Sequence, residues 1–228
     1  MNTYPCVITS IPVDYERTKI HFNRFFDLLP INEIIFIGPE NLRNNISSDI
    51  AAGLFNNNKL CFICEDELLP FDSIKKIYEE LLSKSSVTNP SSVNWYYQQF
   101  LKMAYSAICT TDYYLCWDSD TLPLKKIELF NAAGKPYLDV KAENNSSYFS
   151  TIEKLFGYGK IIDKSFISEH MFFNKKLMSE LITMIENSSF DGIHFYEKIL
   201  NAVGSDNLAL GFSEFETYGT FIGMNYPS

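Results

Sequence analysis

Short β-branched apolar runs at 7–9 and 34–37 flank a stretch, 15–29, in which Ile20, Phe22, Phe25, Phe26 and Leu29 recur at helical intervals. That is the pattern of a β-α-β unit. A third buried strand is predicted at 60–63, after a polar loop around Asn56, Asn57 and Asn58, and a helix at 74–82 precedes a Ser/Asn/Pro-rich loop at 83–94. A helix over 95–108, a turn at Thr110-Thr111-Asp112 and a fourth strand at 113–117 complete the regular part. Strands alternating with helices predict an α/β fold with a mostly parallel central sheet covered by helices.

Beyond residue 124 the pattern loosens, with strands predicted at 137–140 and 166–173, helices at 148–156, 176–185 and 194–202, and an aromatic, acidic tail at 212–221. Neither an internal repeat nor a long linker divides the chain, which reads as one domain. At 228 residues and 46% hydrophobic content it is large enough to bury its own core.

Composition narrows the partners. The net charge of −9, from 19 basic and 28 acidic residues, is spread along the chain without basic clustering, which excludes a nucleic-acid footprint. An acidic chain repels a diphosphate, so an enzyme acting on one needs a bound cation or local basic groups. No apolar stretch is long enough to span a bilayer and no leader precedes the first strand, so a cytoplasmic protein is expected. The five cysteines, Cys6, Cys61, Cys64, Cys109 and Cys116, are an odd number in apolar settings and read as reduced core thiols. Cys61 and Cys64 form a C-x-x-C with no second pair or nearby histidine pair to complete a zinc site.

Asp118-Ser119-Asp120 follows directly on the apolar run 113–117. Ligands collect at the carboxyl ends of strands in open α/β sheets. In extended geometry, residues two apart face the same side about 6 to 7 Å apart, so both carboxylates would address one ligand. Hard cations such as Mg²⁺ and Mn²⁺ take one or two carboxylates and complete their shell with phosphate and water. A D-x-D triplet also suits a turn that merely ends a strand. On the preceding helix, Gln98 and Lys102 share a face, with Trp95 and Gln99 on an adjacent one, offering an aromatic plane, amides and a positive charge to a nucleotide. A half-buried helix with a solvated Gln/Lys stripe has the same pattern.

The segment from Trp95 through Pro123, W-Y-Y-Q-Q-F-L-K-M, a strand and D-S-D-T-L-P, resembles the centre of small bacterial GT-A-fold glycosyltransferases of surface-polysaccharide synthesis. Similar segments are Glu65-Asp66-Glu67, residues 148–157, residues 165–171 and residues 213–219. The resemblance implies a Rossmann-like α/β/α sandwich, with a nucleotide-sugar-binding half at 1–124 and an irregular acceptor-binding half at 125–228. It implies a nucleotide-diphosphate sugar donor, Mn²⁺ or Mg²⁺, a glycan or lipid-linked saccharide acceptor in capsule or lipopolysaccharide synthesis, and peripheral association with the inner face of a membrane. Thr9 and its loop to Val13 would meet base and ribose, Asp118 the ribose and sugar hydroxyls, and Asp120 the metal, with Asp118 as second ligand and His170 ahead of His194 as the added one. Gln98, Gln99 and Lys102 would serve the nucleotide. Glu214 and Glu216, on one face if 213–218 is extended, are candidates for the base of an inverting transfer, with Glu65 and Asp66 behind them. Competing readings are a sugar nucleotidyltransferase, which lacks a Gly-rich phosphate loop here, and a glycan- or nucleotide-binding protein without turnover.

Overall fold

The computed structural model describes residues 3–56, 58–143 and 145–227, so Asn57 of the predicted loop lies outside the described residues. Among the described residues the apolar runs form five strands: β1 (Tyr4–Thr9), β2 (Ile31–Gly38), β3 (Lys59–Cys64), β4 (Tyr113–Trp117) and β5 (His170–Asn174). They make one sheet in the order β3-β2-β1-β4-β5, parallel throughout except for antiparallel β5. The α/β class with a mostly parallel sheet stands as expected.

By contact the chain divides into two compact units, the first comprising residues 1–69, 108–138 and 169–175, the second 70–107, 139–168 and 176–228. The first unit holds the whole sheet with α1 (Pro12–Thr18), α2 (Phe22–Leu28) and α3 (Glu40–Ala51). One sheet face, with Cys6, Ile8, Ile34, Phe36, Leu115, Trp117 and Phe172, packs with Tyr15, Phe22, Phe25, Leu42 and Ile46 into a single core. The alternate residues Val7, Ile35, Ile37, Cys116 and Phe173 are buried as well. Burial on both faces is why these strands read as continuous apolar runs instead of alternating ones.

The second unit is helical: α4 (Phe71–Lys84), α5 (Val93–Ala104), α6 (Ser146–Phe156), most of α7 (Lys175–Glu186), α8 (Phe195–Val203) and α9 (Glu214–Asn225). Its core is aromatic, with Phe100 centred on Phe195, Tyr196 and Phe212 at 5.8–6.5 Å between centroids. Side-chain caps start three of the helices: Ser92 accepts from Trp95 N–H, Asn145 from Ser147 N–H and Ser213 from Glu216 N–H. No helix among the described residues is long and apolar enough to cross a membrane.

Four predicted elements differ in the structure, and α3 forms where the sequence pattern predicted no element. The helix expected over 15–29 is two short helices joined by a 3₁₀ turn at Lys19–His21; the Thr18 hydroxyl donates to the Asp14 carbonyl at 2.9 Å, a back-bond that bends helices. Residues 137–140 form no strand, and Tyr137 and Val140 are about half exposed, beside a lone bridge between Phe130 and Pro136. The strand expected at 166–173 begins only at His170, because Ser165 and Phe166 are tied instead to Lys141 and Glu216. Residues 213–218 are not extended: Ser213 caps α9 and Glu214 and Glu216 lie in its first turn.

Candidate functional site

Strand order reverses at β1, whose neighbours are β2 on one side and β4 on the other. Such a switch point is where open α/β sheets bind ligands, beyond the carboxyl ends of the strands. Val7 and Cys116 are the last paired positions of β1 and β4; two residues on, Thr9 closes β1 and Asp118 follows β4. Thr9 and Ser10 are 6% and 7% exposed. The end of β2 lies hard against them: a Cβ on Gly38 would stand 2.1 Å from the Ser10 carbonyl oxygen, so only glycine fits there.

Asp118 is half-buried, and its N–H donates to the Glu169 carbonyl at 2.9 Å. Its own carbonyl accepts from the Thr121 N–H at 3.2 Å and the Thr121 hydroxyl at 3.1 Å. The Thr121 carbonyl in turn accepts from the Trp117 indole N–H at 3.0 Å. Asp118-Ser119-Asp120 is therefore a closed turn, and the expected extended alternation does not apply to it. Asp120 sits exposed at its tip. Because β5 runs antiparallel, His170 pairs across from Trp117, and its ring stacks on the indole at 4.6 Å and 23°. The same end of the sheet carries Glu65, just past β3, whose carboxyl is pushed up to about 7 by burial and by the neighbouring Asp66.

Among the described residues no group of three or more His, Cys, Asp or Glu is arranged to hold a metal ion. The donor set fits a hard cation all the same: two carboxylates in one turn are what Mg²⁺ or Mn²⁺ takes from protein when substrate phosphate completes its shell. Asp118 and Asp120 would hold such an ion, and His170, paired across from Trp117, is the candidate for an added ligand.

In the second unit the expected residues turn inward. Lys102 donates to Glu214 at 2.7 Å with side chains 3% and 4% exposed, and its ammonium lies 4.6 Å from the Phe215 ring centre. Gln99, 3% exposed, accepts from the Glu214 N–H at 3.2 Å and donates to the Trp95 carbonyl at 3.0 Å. A solvated Gln/Lys stripe is thus not what α5 presents, although Gln98 is only half-buried. Two residues apart on a helix, Glu214 and Glu216 point to different sides. Glu216, 1% exposed, accepts from the Ser165 hydroxyl, the Phe166 N–H at 2.9 Å and the Thr220 hydroxyl at 3.4 Å. Burial raises its carboxyl, and those donors with Lys160 counter only part of the rise.

Sequence reasoning missed the docking of residues 161–166 on α9. A Cβ on Gly219 would meet the Phe166 ring at 2.3 Å, and one on Gly223 the Ile161 side chain at 2.5 Å. The signal was there: Glu216, Gly219 and Gly223 share one helical face.

A family described as one of unknown function, DUF6492, matches residues 10–225. The chain belongs to this family. No curated protein matches the DUF6492 chain. Among solved structures, mouse xyloside xylosyltransferase 1 in its apo form resembles it with a TM-score of 0.50 at 13% identity, over 100% of this chain and 83% of that one. At that identity the likeness concerns the fold: the DUF6492 chain is similar in architecture to a glycosyltransferase.

Proposed function

We propose that this protein transfers a glycosyl group from a nucleotide-diphosphate sugar to a hydroxyl of a glycan or lipid-linked acceptor. The observation that carries the reading is the carboxylate turn Asp118-Ser119-Asp120, leaving the sheet at its switch point beside the end of β1. The likeness in fold to a xylosyltransferase supports it.

In this reading Thr9 and the loop to Val13 receive the base and ribose, Asp118 takes sugar and ribose hydroxyls, and Asp118 and Asp120, with His170 as candidate third ligand, hold a divalent ion. When bound, that ion neutralises charge developing on the leaving diphosphate, which the acidic chain does not otherwise do. Of the two C-terminal carboxylates, Glu216 is spent on holding the 165–166 backbone and serves as a positioning residue. Glu214 is the better candidate to meet the acceptor hydroxyl, one of its oxygens being fixed by Lys102. Lys102 and Gln99 then act by holding α5 to α9, and of the three only Gln98, half-buried, keeps the proposed nucleotide-binding role.

The test is a panel of nucleotide sugars with Mn²⁺, reading released nucleoside diphosphate. One donor is expected to turn over, with the signal abolished by chelator and by Asp120→Ala at unchanged melting temperature. Full activity in excess chelator contradicts the metal assignment. Sugar binding with no release from any donor would place the protein among non-catalytic glycan binders.

A further inference from the structure

The first turns of three helices in the second unit meet. Trp95 lies in the first turn of α5, Tyr148 in that of α6 and Glu214 in that of α9. Gln99 joins two of them, bonding the Trp95 carbonyl and the Glu214 N–H, and the Trp95 and Tyr148 rings lie near-parallel at 17° and 6.5 Å. Tyr148 is 7% exposed, whereas Trp95 is partly exposed. Tyr148 bonds the Asn145 side chain and feels Glu214, Glu143 and Glu216, and burial first, then these charges, push its hydroxyl up to about 12.

What ligand suits this surface follows from its charge. Converging helix N-termini attract anions, but here Glu214 and Glu216 already occupy α9's first turn, and Lys102 is neutralised by Glu214. With Glu143 exposed nearby, the carboxylates of Glu143, Glu214 and Glu216 still outnumber the ammoniums of Lys102 and of Lys160, which lies 5.3 Å from the Phe149 ring centre, so a phosphate or carboxylate is disfavoured. An indole face backed by a phenol ring, with the exposed Glu143 carboxylate and an amide beside it, suits a hydroxyl-rich ring without negative charge, with C–H groups against the aromatic face and hydroxyls donating to the carboxylate. One turn beyond Tyr148 and Glu214, the fully buried hydroxyls of Thr151 and Thr217 have no hydrogen-bond partner among the described residues.

We propose that the first turns of α5 and α6, backed by that of α9, form a subsite for a neutral or amino sugar of the acceptor, with Trp95 as its platform and Glu143 and Asn145 as hydroxyl partners. This rests on the glycosyl-transfer reading for its role, though not for its geometry.

The whole chain is titrated with methyl β-galactoside, methyl β-glucosaminide and methyl β-glucuronide, without nucleotide. Only two tryptophans are present and Trp117 is 3% exposed, so Trp95 reports binding by fluorescence. A saturable change is expected with at least one of the first two, and affinity at least roughly tenfold weaker for the glucuronide. By calorimetry Trp95→Ala loses roughly tenfold or more while Trp95→Phe stays near wild type. No saturable change with either, equal affinity for the glucuronide, or an unaffected Trp95→Ala overturns the subsite. Mn²⁺-dependent binding of UDP, GDP and dTDP is read on the same preparation. Its absence with sugar binding intact counts against glycosyl transfer alone, and its presence without sugar binding counts against the subsite alone.

Discussion

Glu65 is half-buried at the end of β3, with Asp66 beside it and a carboxyl pushed from the ordinary 4.5 up to about 7. The folded chain keeps there a proton that the unfolded chain has released, so stability falls as pH rises through that window. Glu216 is shifted the same way. Urea midpoints of the wild type should therefore drop between about pH 5 and about pH 8, and Glu65→Gln should flatten part of that drop without removing it. An unchanged slope would mean that the side chain is hydrated. Lys102 and Glu214 test a different cost. Removing the ammonium from a carboxylate that is 4% exposed should cost about 3–5 kcal/mol in Lys102→Met, and Lys102→Met/Glu214→Gln should recover most of it, both read by urea denaturation. The residue types here were legible in the sequence but their partners were not: Gln98, Lys102 and Gln99 share a spacing that says nothing of a glutamate more than a hundred positions away.

At the scale of elements, α9 is the piece the sequence concealed. Its residues from Glu214 through Phe221 are buried on all sides, so no apolar stripe marks it as a helix, and Thr, Tyr and Gly lower its intrinsic propensity. The two glutamates looked like one face of a strand for that reason. Strands β1, β2 and β4 were readable because burial on both faces writes them as unbroken apolar runs, and the D-S-D turn because it interrupts such a run. The face of α9 bearing Glu216, Gly219 and Gly223 fixes the 161–166 backbone. Gly219→Ala gains about 1 kcal/mol of helix propensity but drives a methyl into the Phe166 ring, for a net loss of about 1–3 kcal/mol. Amide exchange at Phe166 and Ile167 should quicken in that variant more than exchange in α4; equal protection would show that the ring simply moves aside.

For the whole molecule, the α/β class and the parallel sheet were readable from alternating runs, while the division into two units was not. The chain leaves the sheet unit after residue 69, returns at 108, leaves again after 138 and returns once more at 169 before a last departure after 175. Interleaving of this kind leaves no composition boundary to find. Asp118 and Asp120 belong wholly to the sheet unit, so the metal–diphosphate binding proposed for them can be tested without knowing the acceptor. The direct measurement is calorimetry of UDP, GDP and dTDP binding, with and without Mn²⁺, to the wild type and to Asp120→Ala. Binding of one nucleotide that requires Mn²⁺ and disappears in Asp120→Ala is the predicted result. Nucleotide binding indifferent to both the metal and the substitution, or no binding of any of the three, would contradict it.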